Sequence, residues 1–257
     1  MRINKDVISS NQNNLVKEVI KIKNEPASSL FVEGTKLIRE ALNSGHAIEY
    51  CLISEKVLEE ITLMSPYILQ YPYYVVSEKV ISKICDTMSP QGIVAIINFK
   101  FVEGTIDGNF IVLDNIQDPG NMGNIIRSAS GTRFRDICLI NGANPLNQKV
   151  VRSTMGRLFS VNIYKFQSHD DFISFSKINN LHYYSCSMQG EDIFSIKKFD
   201  NRCGIVIGNE GNGVSDKLKS TSKGTISIPM KNNLESLNAS VSLGIIAYYL
   251  DNLNLQK

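Results

Sequence analysis

The sequence predicts an α/β protein of two domains, with a parallel sheet in the C-terminal domain and a smaller α/β domain before it. The main observation is that short apolar runs, typical of strands, alternate with segments of helical spacing along the whole chain. The length of 257 residues fits one large domain or two ordinary ones. A hydrophobic share of 43% with 20% charged residues is typical of globular proteins, which excludes a disordered chain.

The first hundred residues predict a small α/β domain over 1–100. Leu15, Val19 and Ile22 recur at helical spacing, and Gly45 is a suitable C-cap for a second helix. The β-branched apolar run at 92–98 predicts a buried strand. In chain order, we predict helix 14–24, helix 33–45, strand 50–53, helix 56–69, strand 73–76, helix 80–85 and strand 92–98.

A linker and a second α/β domain follow. Residues 101–108 hold two glycines and acidic residues but few large apolar side chains, so we predict the linker there. Over 109–257, the predicted strands are 110–113, 136–140, 161–164, 182–186, 203–207 and 225–228, and the predicted helices are 121–130, 149–158, 170–178, 214–219 and 238–253. Strand–helix units in series predict a parallel sheet that is covered by helices on both faces.

The five cysteines and three histidines argue against a disulfide framework and against a metal centre. The cysteines are odd in number and widely scattered, with no Cys-x-x-Cys pair, and the histidines stand far apart. The N-terminus lacks the apolar core of a signal peptide, and no apolar run approaches the ~20 residues that span a bilayer. We therefore expect a cytoplasmic protein without a metal and without a membrane partner.

Three segments rich in glycine and asparagine follow predicted strands of the second domain, at 115–127, 208–213 and 228–238. Ligands bind at the carboxyl ends of strands in an open parallel sheet. One such segment is as consistent with a tight turn as with a binding site, whereas three in one domain favour a ligand pocket. The glycines at 208, 211 and 213 have the reverse of the dinucleotide-binding spacing, and no Gly-Lys-Ser/Thr of a P-loop follows them.

The formal net charge of +2 conceals a local cluster of basic residues. From Arg127 to Arg157 there are six basic side chains and one acidic side chain, Asp136. Arginines beside a pocket suit contacts with RNA phosphates, and a solvated helix face is an equally good interpretation of the charge alone. The charge balance therefore permits an RNA partner without requiring one.

In this order and spacing, the three segments resemble the three motifs of the SpoU (TrmH-like) branch of the SPOUT RNA methyltransferases. The first motif is Asp-Pro-Gly-Asn-Met-Gly-Asn-Ile-Ile-Arg at 118–127, and the second is Ile-Gly-Asn-Glu-Gly-Asn-Gly-Val at 207–214. The third is Ile-Pro-Met-x4-Glu-Ser-Leu-Asn-Ala-Ser-Val at 228–241. In the first half, segments 31–42 and 89–95 resemble the ribosomal-protein-like RNA-binding domain that accompanies some members.

The resemblance implies a 2′-O-ribose methyltransferase that uses S-adenosylmethionine and acts on structured RNA, with 23S-type ribosomal RNA favoured over tRNA. It also implies a deep trefoil knot in the C-terminal domain and a homodimer formed through that domain. A tRNA 2′-O-methyltransferase and a catalytically inactive RNA-binding protein are the alternatives. The target nucleotide stays open, as does the choice between a housekeeping role and antibiotic resistance.

Carried over position by position, the motifs imply roles for individual residues. The catalytic positions are Arg127, Asn121, Glu210, Ser236 and Asn238, and the cofactor-binding positions are Gly208, Ile228, Leu237, Met230, Pro229 and Gly211. For contact with RNA we expect Arg133, Arg135 and Arg152.

Simpler interpretations exist for some of these positions. Glu210 can be a carboxylate at a helix N-terminus, Ser236 can be the N-cap of the last helix, and Met230 can be plain packing. Arg127 matches the catalytic arginine of the family, yet a guanidinium stays protonated far above neutral pH. It therefore either stabilises the developing alkoxide or removes the proton with help from phosphate or water.

Overall fold

A computed structural model describes residues 1–232 and 234–255 of the chain, without the side chains of 254 and 255. The chain divides into two compact units. The first holds Met1–Lys100 together with Leu146–Gln148, and the second holds Phe101–Pro145 and the chain from Lys149 onward. Among the described helices, none combines the length and the apolar character that a crossing of the lipid bilayer requires.

The first unit contains a mixed four-stranded sheet with helices packed on it. Its strands are β1 (Ser29–Glu33), β2 (Ala47–Ser54), β3 (Tyr73–Val76) and β4 (Ile93–Asn98), in the order β1-β4-β2-β3. Strand β4 is antiparallel to both of its neighbours, whereas β2 and β3 are parallel. The helices are α1 (Asn14–Asn24), α2 (Thr35–Asn43), α3 (Leu58–Met64) and α4 (Glu78–Ile84). The prediction of a smaller α/β domain is confirmed.

Two local predictions in this unit are wrong. Strand β1 was not predicted, because its short apolar run leads directly into the helical pattern that follows; Gly34, with φ of 89°, separates the two elements. The predicted helix 56–69 is interrupted, since α3 ends at Met64 and a 3-10 turn occupies Pro66–Gln70. A proline disfavours helical backbone at the residue before it, so Pro66 ends the helix.

The second unit is built on a six-stranded sheet in which every neighbouring pair is parallel, as predicted. Its strands are β5 (Phe110–Asp114), β6 (Asp136–Ile140), β7 (Asn162–Phe166), β8 (His182–Asp192), β9 (Cys203–Ile207) and β10 (Gly224–Ser227). Its helices are α5 (Pro119–Ala129), α6 (Gln148–Ser153), α7 (His169–Ile178), α8 (Asp216–Thr221) and α9 (Ala239–Leu255). All five positions of β5 and of β9 are buried, which makes these two strands the centre of the core.

Helix α5 begins at Pro119, two residues before the predicted start at 121. The Asp118 carboxylate accepts a hydrogen bond from the Asn121 backbone N–H at 2.8 Å, and Pro119 occupies the first turn, where its missing N–H costs nothing. A Cβ on Gly123 would lie 2.4 Å from the Ser153 Cβ, so glycine allows α6 to approach α5 closely. The predicted helix 149–158 is shorter than expected, because α6 ends at Ser153 and the left-handed backbone at Met155 and Gly156 prevents its continuation.

The sheet order β10-β8-β9-β5-β6-β7 fixes where a ligand can bind. After β5 the chain adds strands on one side, and after β7 it crosses to build the other side. The direction of winding therefore changes between β5 and β9, and crevices form at the carboxyl ends of strands at such a point. The order of strand pairing does not trace the threading of the chain, so the trefoil knot stays a prediction.

Candidate cofactor-binding and active site

A cavity of about 850 Å³ lies in the second unit, at the carboxyl ends of β9 and β10 and beside the middle of β8. Its walls come largely from the loop after β9, from the segment after β10 and from the beginning of α9. The predicted site residues that line it are Gly208, Glu210, Gly211, Ile228, Met230, Ser236, Leu237 and Asn238. The second and third motif segments thus meet around one cavity.

Three of the predicted catalytic and cofactor-binding residues are not part of the described lining. Pro229 is exposed and lies between two lining residues. Asn121 and Arg127 both belong to α5, where six residues correspond to about 9 Å along the axis. Asn121 is only 8% exposed, whereas Arg127 is exposed in the last turn of the helix.

A chain of side-chain hydrogen bonds connects the three motif segments. The Asn121 Nδ2 donates to Glu210 Oε1 at 2.8 Å, and the Asn238 Nδ2 donates to Asn121 Oδ1 at 2.8 Å. Asn121 is therefore the centre of the network, because its amide contacts one residue from each of the other two segments. This arrangement fixes Glu210 and Asn238 on the cavity wall.

The contacts of Asn238 and Glu210 argue against the simpler structural interpretations of Ser236 and Glu210. The N-cap of α9 is Asn238, whose Oδ1 accepts from the Ser240 backbone N–H at 2.9 Å, so the alternative interpretation of Ser236 as the cap does not hold. Glu210 precedes α8 by six residues and accepts from a side-chain amide, so it is not a helix N-terminal carboxylate. Ser236 is thus not the cap of α9, Glu210 does not lie at a helix N-terminus, and both residues line the cavity.

The loop 208–215 after β9 closes on itself. The backbones of Asn209 and Gly213 exchange hydrogen bonds of 3.0 and 2.8 Å, and Asn209 Oδ1 accepts from the Gly211 N–H at 2.9 Å. A Cβ on Gly208 would lie 2.1 Å from the Gly213 carbonyl carbon. Only glycine fits at 208, because the backbone of the returning loop occupies the place of a side chain.

Asp114, at the end of β5, holds this loop and is itself contacted by His169 of α7. Neither residue is among the predicted site residues. Asp114 is 3% exposed, and its Oδ2 accepts from the Ser215 backbone N–H at 2.7 Å. Its Oδ1 lies 2.8 Å from His169 Nε2. A carboxylate at the end of an apolar strand was a visible signal for Asp114, whereas His169, 55 residues further along the chain, gave none.

Among the described residues, the cavity wall offers neither a thiolate nor an imidazole for proton transfer. Burial raises the pKa of the Cys186 thiol well above its usual value, so this residue of the cavity wall is a neutral thiol. None of the described lining residues is a histidine. The ionisable groups of the described wall are then two carboxylates and one amine, from Glu210, Glu235 and Lys219.

The predicted RNA-contacting arginines differ in their surroundings. The Arg133 Nε donates to Asp251 Oδ1 of α9 at 2.7 Å, and one terminal nitrogen donates to the Asp251 carbonyl at 2.8 Å. Arg135 and Arg152 are exposed. Arg133 is thus tied to α9, and its role in RNA contact stays a prediction together with those of the other two.

Comparison with known proteins identifies the two halves separately. The SpoU rRNA Methylase family matches residues 108–248, and the MRM3-like substrate binding domain matches residues 13–95. A relative over nearly the full length is the 23S rRNA (guanosine(2553)-2′-O)-methyltransferase RlmP of Bacillus subtilis, 25% identical over 95% of this chain and 98% of the relative. A 23S rRNA (adenosine(1067)-2′-O)-methyltransferase of Streptomyces azureus is 29% identical over 58% of this chain and 56% of its own.

Solved structures agree with the fold. The AdoMet-bound rRNA methyltransferase of Sinorhizobium meliloti superposes with a TM-score of 0.84 at 25% identity, over 96% of this chain and 97% of that one. The SpoU methyltransferase AviRb of Streptomyces viridochromogenes, in complex with AdoMet, has a TM-score of 0.82 at 21% identity, over 95% and 100% of the two chains, and supports the fold alone. The resemblance inferred from the three motifs is confirmed: the chain belongs to the SpoU rRNA methylase family.

Proposed function

We propose that this protein transfers a methyl group from S-adenosylmethionine to a ribose 2′-hydroxyl of structured RNA, with 23S-type ribosomal RNA as the favoured substrate. The observation that carries the proposal is the hydrogen-bonded chain Glu210–Asn121–Asn238, which joins all three motif segments beside one cavity. RlmP supports the choice of substrate, since this chain matches it over nearly its whole length.

The cavity suits S-adenosylmethionine, since its volume of about 850 Å³ lies in the ~300–1,000 Å³ range of small-molecule sites and its charged groups complement those of the cofactor. Its described wall carries the carboxylates of Glu210 and Glu235 and the amine of Lys219. These match the sulfonium, the ammonium and the single carboxylate of the cofactor. Glycine at 208 lets the loop close beside the cavity, and glycine at 211 leaves its backbone accessible to the ligand. We assign cofactor binding to Gly208, Gly211, Ile228, Pro229, Met230 and Leu237.

The cofactor supplies an electrophilic methyl group, and the protein must align and activate the attacking oxygen. A ribose hydroxyl is a poor nucleophile, so it needs a proton acceptor or a group that stabilises the developing alkoxide. Ser236, Asn238 and Glu210 offer polar groups at the wall. We assign most of the acceleration to alignment of the hydroxyl with the methyl group, which these fixed side chains provide.

Arg127 completes the site as a cation for the developing negative charge. Its guanidinium stays protonated at neutral pH, which suits stabilisation of an alkoxide better than removal of a proton, and the hydroxyl proton passes to water or to an RNA phosphate. Arg127 is exposed on α5 and is not part of the described cavity wall. This role therefore requires that bound RNA place its ribose between Arg127 and the cavity.

We assign RNA recognition to the first unit and to the exposed arginines of the second. The substrate-binding-domain match at 13–95 supports the first assignment. Arg135 and Arg152 are exposed and can meet phosphates, Arg152 by exchanging its present contacts, and Arg133 would first have to leave Asp251.

We further propose a homodimer formed through the second unit. On α9, Val241 and Tyr248 are 48% and 53% exposed and lie two turns apart on the same face, which leaves an apolar strip in contact with solvent. A second copy can cover that strip.

The five cysteines are free thiols, which fits a reducing cytoplasm as the place of action.

The test has two steps. Calorimetric titration with S-adenosylmethionine should give saturable binding, and incubation with radiolabelled cofactor should then label 23S ribosomal RNA. A 2′-O-methyl group blocks alkaline cleavage at the next phosphodiester, so partial hydrolysis maps the nucleotide. Label in tRNA alone would favour a tRNA 2′-O-methyltransferase, and cofactor binding without label in either RNA would favour an inactive RNA-binding protein. Absence of cofactor binding would contradict the proposal.

A further inference from the structure

Asp114, the last residue of β5, and Asn115, which follows it, hold the two ends of the loop 208–215. At one end, Asn209 Nδ2 donates to the Asn115 carbonyl at 3.0 Å. At the other end, the Ser215 backbone N–H donates to Asp114 Oδ2 at 2.7 Å. Asn115 has a φ of 57°, in the left-handed region that asparagine tolerates, which turns its carbonyl out of the direction of the strand. The loop 208–215 is thus held at both of its ends by residues at the carboxyl end of β5.

Asp114 in turn depends on His169. A carboxylate that is 3% exposed needs hydrogen-bond donors, because burial of an unpaired charge is costly. Among the contacts of the described residues, its two oxygens meet the Ser215 N–H and the His169 Nε2, one donor each. Imidazole donates from Nε2 both as the cation and as the neutral tautomer with hydrogen on that atom. Removal of His169 would leave Oδ1 buried without its donor.

His169 lies at the beginning of α7, and that end of the helix is tied to α8. The Asp170 carboxylate and the Lys217 ammonium approach to 2.7 Å, so the helix that follows the loop is joined to the helix that carries the histidine. Neither Asp114 nor His169 belongs to the described cavity wall. Their effect on the cofactor must therefore pass through the loop.

We propose that Asp114 and His169 form a positioning pair that holds the loop 208–215 in its cofactor-binding conformation. The inference rests on the proposed use of S-adenosylmethionine at this cavity. Glu210 lies within the loop and Gly208 opens it, so a loop released at Ser215 loses the alignment of groups that surround the ligand. The pair acts on binding of the cofactor, without contact with it.

The test compares His169→Leu, which removes the donor, with His169→Gln, whose amide can donate from a similar place. Loss of a hydrogen bond to a buried carboxylate should raise the Kd for S-adenosylmethionine about 10- to 100-fold in His169→Leu. His169→Gln should restore most of the affinity. His182→Leu, at the exposed beginning of β8 in the same unit, is the matched control and should bind like the wild type.

A second measurement needs no cofactor. Hydrogen exchange of the unliganded protein should show loss of protection at the Ser215 amide in His169→Leu, with β9 and α5 unchanged. Unchanged loop exchange together with an unchanged Kd would overturn the pair, and so would a uniform loss of protection, since the histidine would then support the fold as a whole. A wild type that binds no S-adenosylmethionine refutes the proposed cofactor instead, while loop exchange still decides whether the pair holds the loop.

Discussion

The candidate site has a cofactor side, formed by the cavity wall, and an acceptor side, formed by Arg127, and the two differ in how firmly hydrogen bonds hold their residues. On the cofactor side, side-chain hydrogen bonds join Glu210, Asn121 and Asn238, and the loop 208–215 is closed and held at both ends. On the acceptor side, Arg127 is exposed on α5. A preorganised wall binds a small cofactor without a large ordering cost, whereas a large RNA brings its own surface to an open side. Substitutions on the two sides should therefore separate cofactor binding from methyl transfer.

The largest effect is expected at Arg127. In Arg127→Ala, methyl transfer to RNA should fall by about 100- to 1000-fold, the range seen when one group that stabilises a developing oxyanion is removed. The Kd for S-adenosylmethionine should stay unchanged, because Arg127 is not part of the described cavity wall. Single-turnover transfer and calorimetric titration measure the two quantities. Arg127→Lys tests whether a positive charge alone suffices; retained turnover in Arg127→Ala would remove the arginine from the mechanism.

A smaller effect on both functions is expected at Asn121. Asn121→Ala removes the hydrogen bonds that fix Glu210 and Asn238, so we expect the Kd for S-adenosylmethionine to rise about 10- to 100-fold and transfer to fall with it. Asn124→Ala, an exposed position of the same helix, is the control. If the Asn121 variant kept normal cofactor affinity but lost transfer, the network would belong to the acceptor side and the division into two sides would need revision.

The same division describes how far the sequence could predict the molecule. The parallel sheet and the positions of the three segments at strand ends follow from local patterns of apolar residues, glycine and asparagine, because strands and turns are specified within a few residues. Contacts between segments are not local. Asn121 meets Glu210 across 89 positions and Asn238 across 117, and no periodicity encodes such a pair.

The errors in secondary structure have the same origin or a simpler one. The end of the predicted helix 56–69 is a local signal, because a proline such as Pro66 disfavours helical backbone at the residue before it. Strand β8 runs to Asp192 instead of ending at 186, and its later part pairs with β10 through a shift in register between Thr225 and Ile226. Only the partner strand reveals that extension, since residues 187–192 carry little apolar patterning of their own.

Gly208 tests whether the shape of the cofactor loop is required. In Gly208→Ala the new Cβ would lie 2.1 Å from the Gly213 carbonyl carbon, so the loop must move. We expect the free energy of unfolding to fall by about 1–3 kcal/mol and cofactor affinity to fall with it. Gly211→Ala is the control for stability, because its Cβ would meet its nearest neighbour, Asn209 Oδ1, at an ordinary 3.5 Å. Thermal unfolding gives the stability of both variants, and titration gives their cofactor affinity. If Gly208→Ala were as stable as Gly211→Ala, the loop 208–215 would be able to accommodate the new Cβ at little cost.

The smallest effect is expected at Arg133, and it sharpens the acceptor side. Its ion pair with Asp251 is partly exposed, with side chains 48% and 14% accessible, so Arg133→Ala should lower the free energy of unfolding by about 0.2–1 kcal/mol. Because the guanidinium is engaged with α9, its loss should change RNA affinity little. Arg135→Ala should leave stability unchanged, weaken RNA binding and reduce the salt dependence of that binding by about one phosphate contact. If Arg133→Ala weakened RNA binding as much as Arg135→Ala, the ion pair would open in the complex, and the acceptor side would extend along the arginine cluster as far as α9.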